Sequence, residues 1–223
     1  MPISLLHGLN ALAAALFLIT TFMFLASRQT AASLSLYVRQ GLLLSASALV
    51  QAYALHSLDL LLFAVITVIA KAVVIPWMLR RSLAPSFQSR REAELAVSVP
   101  TSLLIAIAVS LVAYTIAQPL GGTMPSFIAV NLPVGLAGLL ISIYALSVRR
   151  EALPQFLSLL MLDNGVFFAG VAIATTSPVW ELAAALEAII VTVIVALLFR
   201  AISERIGTTH VGRLSGLREE GSR

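Results

Sequence analysis

The sequence predicts an all-α fold: a polytopic membrane helix bundle of about seven transmembrane helices, with the N-terminus outside and the C-terminus cytoplasmic. Three observations lead there. Hydrophobic residues make up 60% of the 223-residue chain and charged residues only 11%, and mean hydropathy is +1.01; a typical soluble domain has about 45–50% and about 25%. The apolar residues run in long continuous stretches, not in the short alternating segments of a membrane barrel. The arginines gather in alternate connections.

A membrane-crossing helix needs about 20 mostly apolar residues at about 1.5 Å each. Seven stretches meet that requirement, roughly 4–26, 32–54, 58–79, 97–117, 127–148, 153–175 and 179–200. The first has no basic leader and no clear small-residue cleavage site, so it reads as a retained helix. Turn-formers separate the stretches: Ser33 after Arg28, His56-Ser57, Pro119-Leu120-Gly121-Gly122 and Thr175-Thr176-Ser177-Pro178. Pro76 lies inside the third stretch, where it removes a ladder bond to the Ala72 carbonyl and predicts a kink. Between the third and fourth stretches, SLAPSFQSRREAELA (82–96) has the pattern of a short interfacial helix. The tail from Ser203 to Arg223 is short, glycine-bearing and mixed in charge.

Arginine placement sets the orientation. Arg28 follows the first stretch; Arg80, Arg81, Arg90 and Arg91 lie between the third and fourth; Arg149 and Arg150 follow the fifth. Arg200, Arg205, Arg213, Arg218 and Arg223 end or follow the seventh, whereas the connections after the second, fourth and sixth contain no Lys or Arg. By the positive-inside rule the arginine-bearing ends are cytoplasmic, and an odd number of crossings puts the termini on opposite sides. The formal charge of +4 therefore reflects helix ends and gives no argument for nucleic acid. With no cysteine, thiolate metal sites, iron–sulfur ligation and cysteine nucleophiles are excluded, and His7, His56 and His210 share no ligand spacing. No cofactor or metal is expected, and with so few aqueous residues an independent soluble catalytic domain has nowhere to sit.

The chain divides into 1–96, a three-helix unit with its cytoplasmic connection, 97–125, a connecting helix, and 126–223, a second three-helix unit with the tail. The second helices of the two trios carry Arg39-Gln40-Gly41 and Asp163-Asn164-Gly165, and the third helices carry Lys71 and Glu187. Internal repeats of this kind are common in transport proteins.

Lys71, Asp163 and Glu187 are the candidate functional charges, because a charge deep in an apolar helix is costly and rarely accidental. Counting from the predicted helix ends, Asp163 lies about 16 Å deep and Glu187 about 12 Å, with Lys71 at similar depth in a core of about 30 Å. A proton relay needs groups that exist in both charge states, and burial disfavours the charged form of acids and bases alike. The competing reading is a structural ion pair between helices. Asn164 can share hydrogen bonding with Asp163, and Gly165 permits close helix packing. Arg39 reads as a snorkelling side chain; Asp59 and Glu181 read as solvated acids at helix ends.

Two runs carry a family resemblance. VNLPVGLAGLLISIYALSVRREALPQFLSLLMLDNGVFFAG and ELAAALEAIIVTVIVALLFRAISER resemble the three-helix subunit K of respiratory complex I: a helix, a basic turn (Arg149-Arg150), a helix with buried acid and Asn164, then a helix with a buried Glu (Glu187). The tail HVGRLSGLREE is similar to that family's cytoplasmic tail. With four more helices in front, and AKAVVIPWMLRR and MLDNGVFF as further matches, the whole chain resembles hydrogenase-4 component E. One departure stands out: the second-helix Glu of subunit K falls at Leu160, and the acid here is Asp163.

The resemblance implies a non-catalytic membrane-arm subunit of a formate hydrogenlyase-type, group 4 hydrogenase complex, in a bacterial or archaeal cytoplasmic (inner) membrane. Its expected partners are antiporter-like membrane subunits and a peripheral hydrogenase or electron-transfer module. Glu187 would be the main exchangeable site, Asp163 and Lys71 relay partners, and Asn164 an orienter of water. A subunit of a multi-subunit cation/proton antiporter and a purely structural membrane scaffold are the alternatives.

Overall fold

The computed structural model of the chain describes residues 3–82, 96–121 and 129–173, together with Val193. The described residues form helices and no β-strand, and six helices are long and apolar enough to cross a membrane, which marks a multi-pass membrane protein. They are α1 (Ile3–Ala26), α2 (Thr30–Leu55), α3 (Leu58–Ser82), α4 (Val99–Gly121), α5 (Asn131–Val148) and α6 (Ala152–Ile173). Apart from Val193, the expected seventh stretch, with Glu181 and Glu187, lies outside the described residues, as do Arg90, Arg91 and the tail.

Local chemistry sets the helix ends. His56 closes α2 in the left-handed conformation (φ 50°), and the Ser57 amide then donates back to the Ala52 carbonyl at 3.1 Å. Ser57 in turn caps α3, its hydroxyl accepting from the Leu60 amide at 3.4 Å. One residue on each side of a sharp reversal thus ends one helix and starts the next. Pro100, Pro133 and Pro154 all fall in first turns, where an amide has no helical partner to lose.

The expected kink in the third span takes a different form. α3 is helical over Leu58–Thr67, widens into a π-helix over Val68–Val74, and resumes as an α-helix over Ile75–Ser82. The Ile75 amide reaches back five residues to the Ala70 carbonyl. Pro76 can serve neither Ala72 in an α register nor Lys71 in a π register, so the ladder is weakened on the turn that carries Lys71.

Helices α1, α2, α5 and α6 make the centre of the bundle, with α3 packed on α2 and α4 flanking α5 and α1. The tightest seam is between α5 and α6. A Cβ at Gly165 would lie 2.5 Å from the Leu139 backbone nitrogen, and one at Gly135 would overlap the backbone of Ala169. Small residues let two backbones approach, which is how helices associate where lipid removes the hydrophobic drive. Phe17, against Gly138, stacks on Phe168 with ring centroids 4.1 Å apart, so the seam reaches α1. Leu160, where the resemblance would place an acid, is 4% exposed and sits in an apolar cluster with Tyr37, Ile141 and Leu157.

Candidate functional site

The π-turn of α3 places Lys71 against α2 and α6. Gly41 on α2 makes room for its stem, since a Cβ there would come within 3.2 Å of the Lys71 Cβ. The Lys71 ammonium donates to Asp163 Oδ2 at 2.6 Å. The same nitrogen lies 4.4 Å from the centroid of the Phe167 ring. Asp163 and Phe167 are four residues apart, so one face of α6 offers the cation both a carboxylate and a π surface. The lysine side chain is 5% exposed and the aspartate side chain 35%. The pair is sealed on the lysine side and open on the aspartate side.

The neighbouring position on α6 faces a different helix. Asn164 Nδ2 donates to Gln40 Oε1 at 3.0 Å, Gln40 Nε2 donates to Thr21 Oγ1 at 2.8 Å, and Thr21 Oγ1 donates to the Phe17 carbonyl at 2.9 Å. This file of side chains links α6, α2 and α1 through the bundle centre. Gln40 and Asn164 are the matched middle residues of the two tripeptides that suggested a repeat, and they meet directly. The Asn164 Oδ1 and the Tyr37 hydroxyl, one turn from Gln40, are buried without a hydrogen-bond partner among the described residues. Buried polar atoms are nearly always paired, so these two oxygens stand out in an otherwise apolar interior.

Two further buried polar groups lie toward the helix ends. Asn10 Nδ2 donates to Asn131 Oδ1 at 2.8 Å, Asn131 Nδ2 to Ser47 Oγ at 2.6 Å, and Ser47 Oγ to Asn10 Oδ1 at 2.6 Å. This closed ring pins α1, α2 and α5 together. At the other end Arg149, 2% exposed, donates to the carbonyls of Phe24 (2.7 Å) and Ser27 (3.3 Å) and stacks its guanidinium 4.4 Å over the Phe24 ring. The Phe24 carbonyl already accepts from the Ser27 amide at 3.1 Å, and the guanidinium adds a second bond to it at the negative end of α1. Burial pushes its ionisation down to about 10, against the pull of Glu151, so it remains charged at neutral pH.

Of the residues singled out in the sequence, Lys71 and Asp163 are brought together, Asn164 sits beside them on the file to Gln40, and Glu187 lies outside the described residues. Arg39 is exposed, as expected of a snorkelling side chain, and so is Asp59. Gln40, Thr21, Tyr37 and Phe167 are site residues that the reading of charges did not single out as such. The available signal was amide and hydroxyl side chains at similar depth in apolar helices. Among the described residues no group of three or more His, Asp or Glu could hold a metal ion.

These features define a multi-pass helical membrane protein with a part-buried lysine–aspartate pair joining α3 to α6. The chain is similar to the uncharacterized protein Rv0085 of Mycobacterium tuberculosis, 27% identical over 193 residues, which span 86% of this chain and 88% of that relative. No family model and no solved structure matches it.

Proposed function

We propose that the protein is a membrane-arm subunit of a hydrogenase-4-like or complex I-like oxidoreductase, and that it contributes to proton translocation or its coupling. The observation that carries this reading is the Lys71–Asp163 pair at 2.6 Å. It joins a helix of the N-terminal trio to a helix of the C-terminal trio, away from either helix end, and Asn164, next to Asp163, carries a buried oxygen with no hydrogen-bond partner among the described residues. An ammonium and a carboxylate in hydrogen-bond contact place a proton donor and a proton acceptor on two different helices, which is the geometry a relay step needs. Asp163 is the partly exposed partner, and an antiporter-like subunit would exchange the proton there. Glu187 enters through the resemblance as a further relay group. The arginine-bearing helix ends are cytoplasmic in this reading.

The test uses the intact membrane complex in inverted vesicles, with redox turnover and proton uptake measured together. Asp163→Asn and Lys71→Met are expected to leave the complex assembled and electron transfer running while proton uptake falls to the uncoupled level. Glu187→Gln is expected to do the same. Full coupling in all three variants would overturn the relay. Loss of assembly in both single variants, restored when the two are combined, would identify the pair as a structural tie. A proton flux that depends on sodium would move the protein to the antiporter class.

A further inference from the structure

The arginine-bearing end of α3 opens onto a groove of about 530 Å³ against α2. Val38, Ala72 and Pro76 line its apolar part, and Trp77, Arg80 and Arg81 line the remainder. Trp77 is 59% exposed, and the Arg81 guanidinium lies 5.7 Å from its ring centroid. Both arginines are exposed. Neither has a carboxylate partner among the described residues. The groove holds neither Lys71 nor Asp163, so it is separate from the ion pair.

Three features point to one class of occupant. Two guanidinium groups with no carboxylate partner among the described residues attract an anion, and their fork of donors suits the oxygens of a phosphate. The apolar lining beside them suits a hydrocarbon chain and would be poorly served by a free anion. Tryptophan and arginine together at the end of a membrane span are the residues that sit at head-group level. A volume of this size takes a segment of one chain, not a whole lipid.

We propose that this groove binds an anionic phospholipid, with the head group at Arg80 and Arg81 and an acyl chain along Val38, Ala72 and Pro76. Charge complementarity selects the anionic class: a choline head group would bring a cation toward two arginines. Basic clefts between membrane helices recognise anionic head groups in this way.

The chain has two tryptophans, so Trp180→Phe leaves Trp77 as the sole emitter. The full-length variant is reconstituted in phosphatidylcholine vesicles containing either brominated phosphatidylglycerol or brominated phosphatidylcholine, and quenching of Trp77 is measured. Quenching by the anionic lipid is expected at mole fractions where the zwitterionic lipid has little effect. Arg80→Gln and Arg81→Gln should each lower that preference about fivefold. Equal quenching by the two lipids, or a preference that survives both substitutions together, overturns the proposal. So does displacement of the brominated phosphatidylglycerol by inorganic phosphate, which would mean a free-anion site. A large rise in preference in the Glu92→Gln/Glu94→Gln variant would overturn it too, by naming the chain's own carboxylates as the occupant. Lipid retained through purification, measured by native mass spectrometry on the unmodified chain and on Arg80→Gln/Arg81→Gln, reads the same site without the tryptophan substitution. Loss of bound anionic lipid is expected in the double variant, and equal retention overturns the proposal.

Discussion

Lys71 and Asp163 each serve as the other's solvent, and that mutual dependence is measurable. Removing one partner strands the other in the bundle, which costs about 3–5 kcal/mol for a fully buried pair. Asp163 is 35% exposed, and hydrogen bonds between membrane helices average about 0.6 kcal/mol with a maximum of about 1.7. Lys71→Met and Asp163→Asn are therefore expected to destabilise the protein by about 1–2 kcal/mol each. The combined variant should lose less than their sum. Unfolding of the three variants in bicelles gives the coupling energy, and strict additivity would show that the contact carries no energy. The two charges were legible in the sequence because apolar helices make any ionisable residue conspicuous. Their pairing was not, because depth along a helix says nothing of its rotation. Asn164 illustrates the point: one position from Asp163, it turns to Gln40 instead of Lys71. Arg149 was read as a marker of orientation, and its folding inward onto the Phe24 carbonyl has no signature in a hydropathy pattern.

Helices were more legible than side-chain contacts, since length and hydropathy fix a span while register depends on neighbours. The second stretch, expected at 32–54, is Thr30–Leu55, and the fifth, expected at 127–148, is Asn131–Val148. The π-turn in α3 escaped the sequence reading because Pro76 signals a broken ladder without saying how the break is absorbed. The α5–α6 seam offers a clean test of what holds these elements. Gly165 faces backbone that cannot move aside, the Leu139 nitrogen at 2.5 Å from a Cβ. Gly170, on the same helix, has nothing among the described residues within 4 Å of the same position. Gly165→Ala should destabilise the protein by about 1–3 kcal/mol through overpacking. Gly170→Ala should be neutral, or stabilising by about 0.5–1 kcal/mol through helix propensity. Thermal unfolding of both in one detergent compares them directly, and equal effects would mean that close approach does not govern this seam.

At the scale of the whole molecule, buried polar groups lie at three depths: the Asn10–Asn131–Ser47 ring near one end, the ion pair with its amide file in the middle, and Arg149 at the other end. The ring joins the start of α1 and the start of α5 to the later part of α2. Arg149 joins the end of α5 to the end of α1, and the Ala96 amide donates to the Val148 carbonyl at 2.9 Å just before α4 begins. Successive helices thus alternate in direction, and the exposed Arg28, Arg80, Arg81 and Arg150 all belong to the Arg149 end. If basic residues stay on the cytoplasmic side, that end is cytoplasmic and the ring lies toward the outside. The absence of cysteine makes the orientation directly readable. Single cysteines at the exposed positions Gln29 and Arg150 should react with a membrane-impermeant maleimide in inverted vesicles but not in intact cells. Cysteines at Leu58 and Gln118, also exposed, should react in intact cells but not in inverted vesicles. A reversed pattern would overturn the orientation. Labelling of all four from one side would overturn the alternation of crossings, because Gln29 and Leu58 flank the single helix α2.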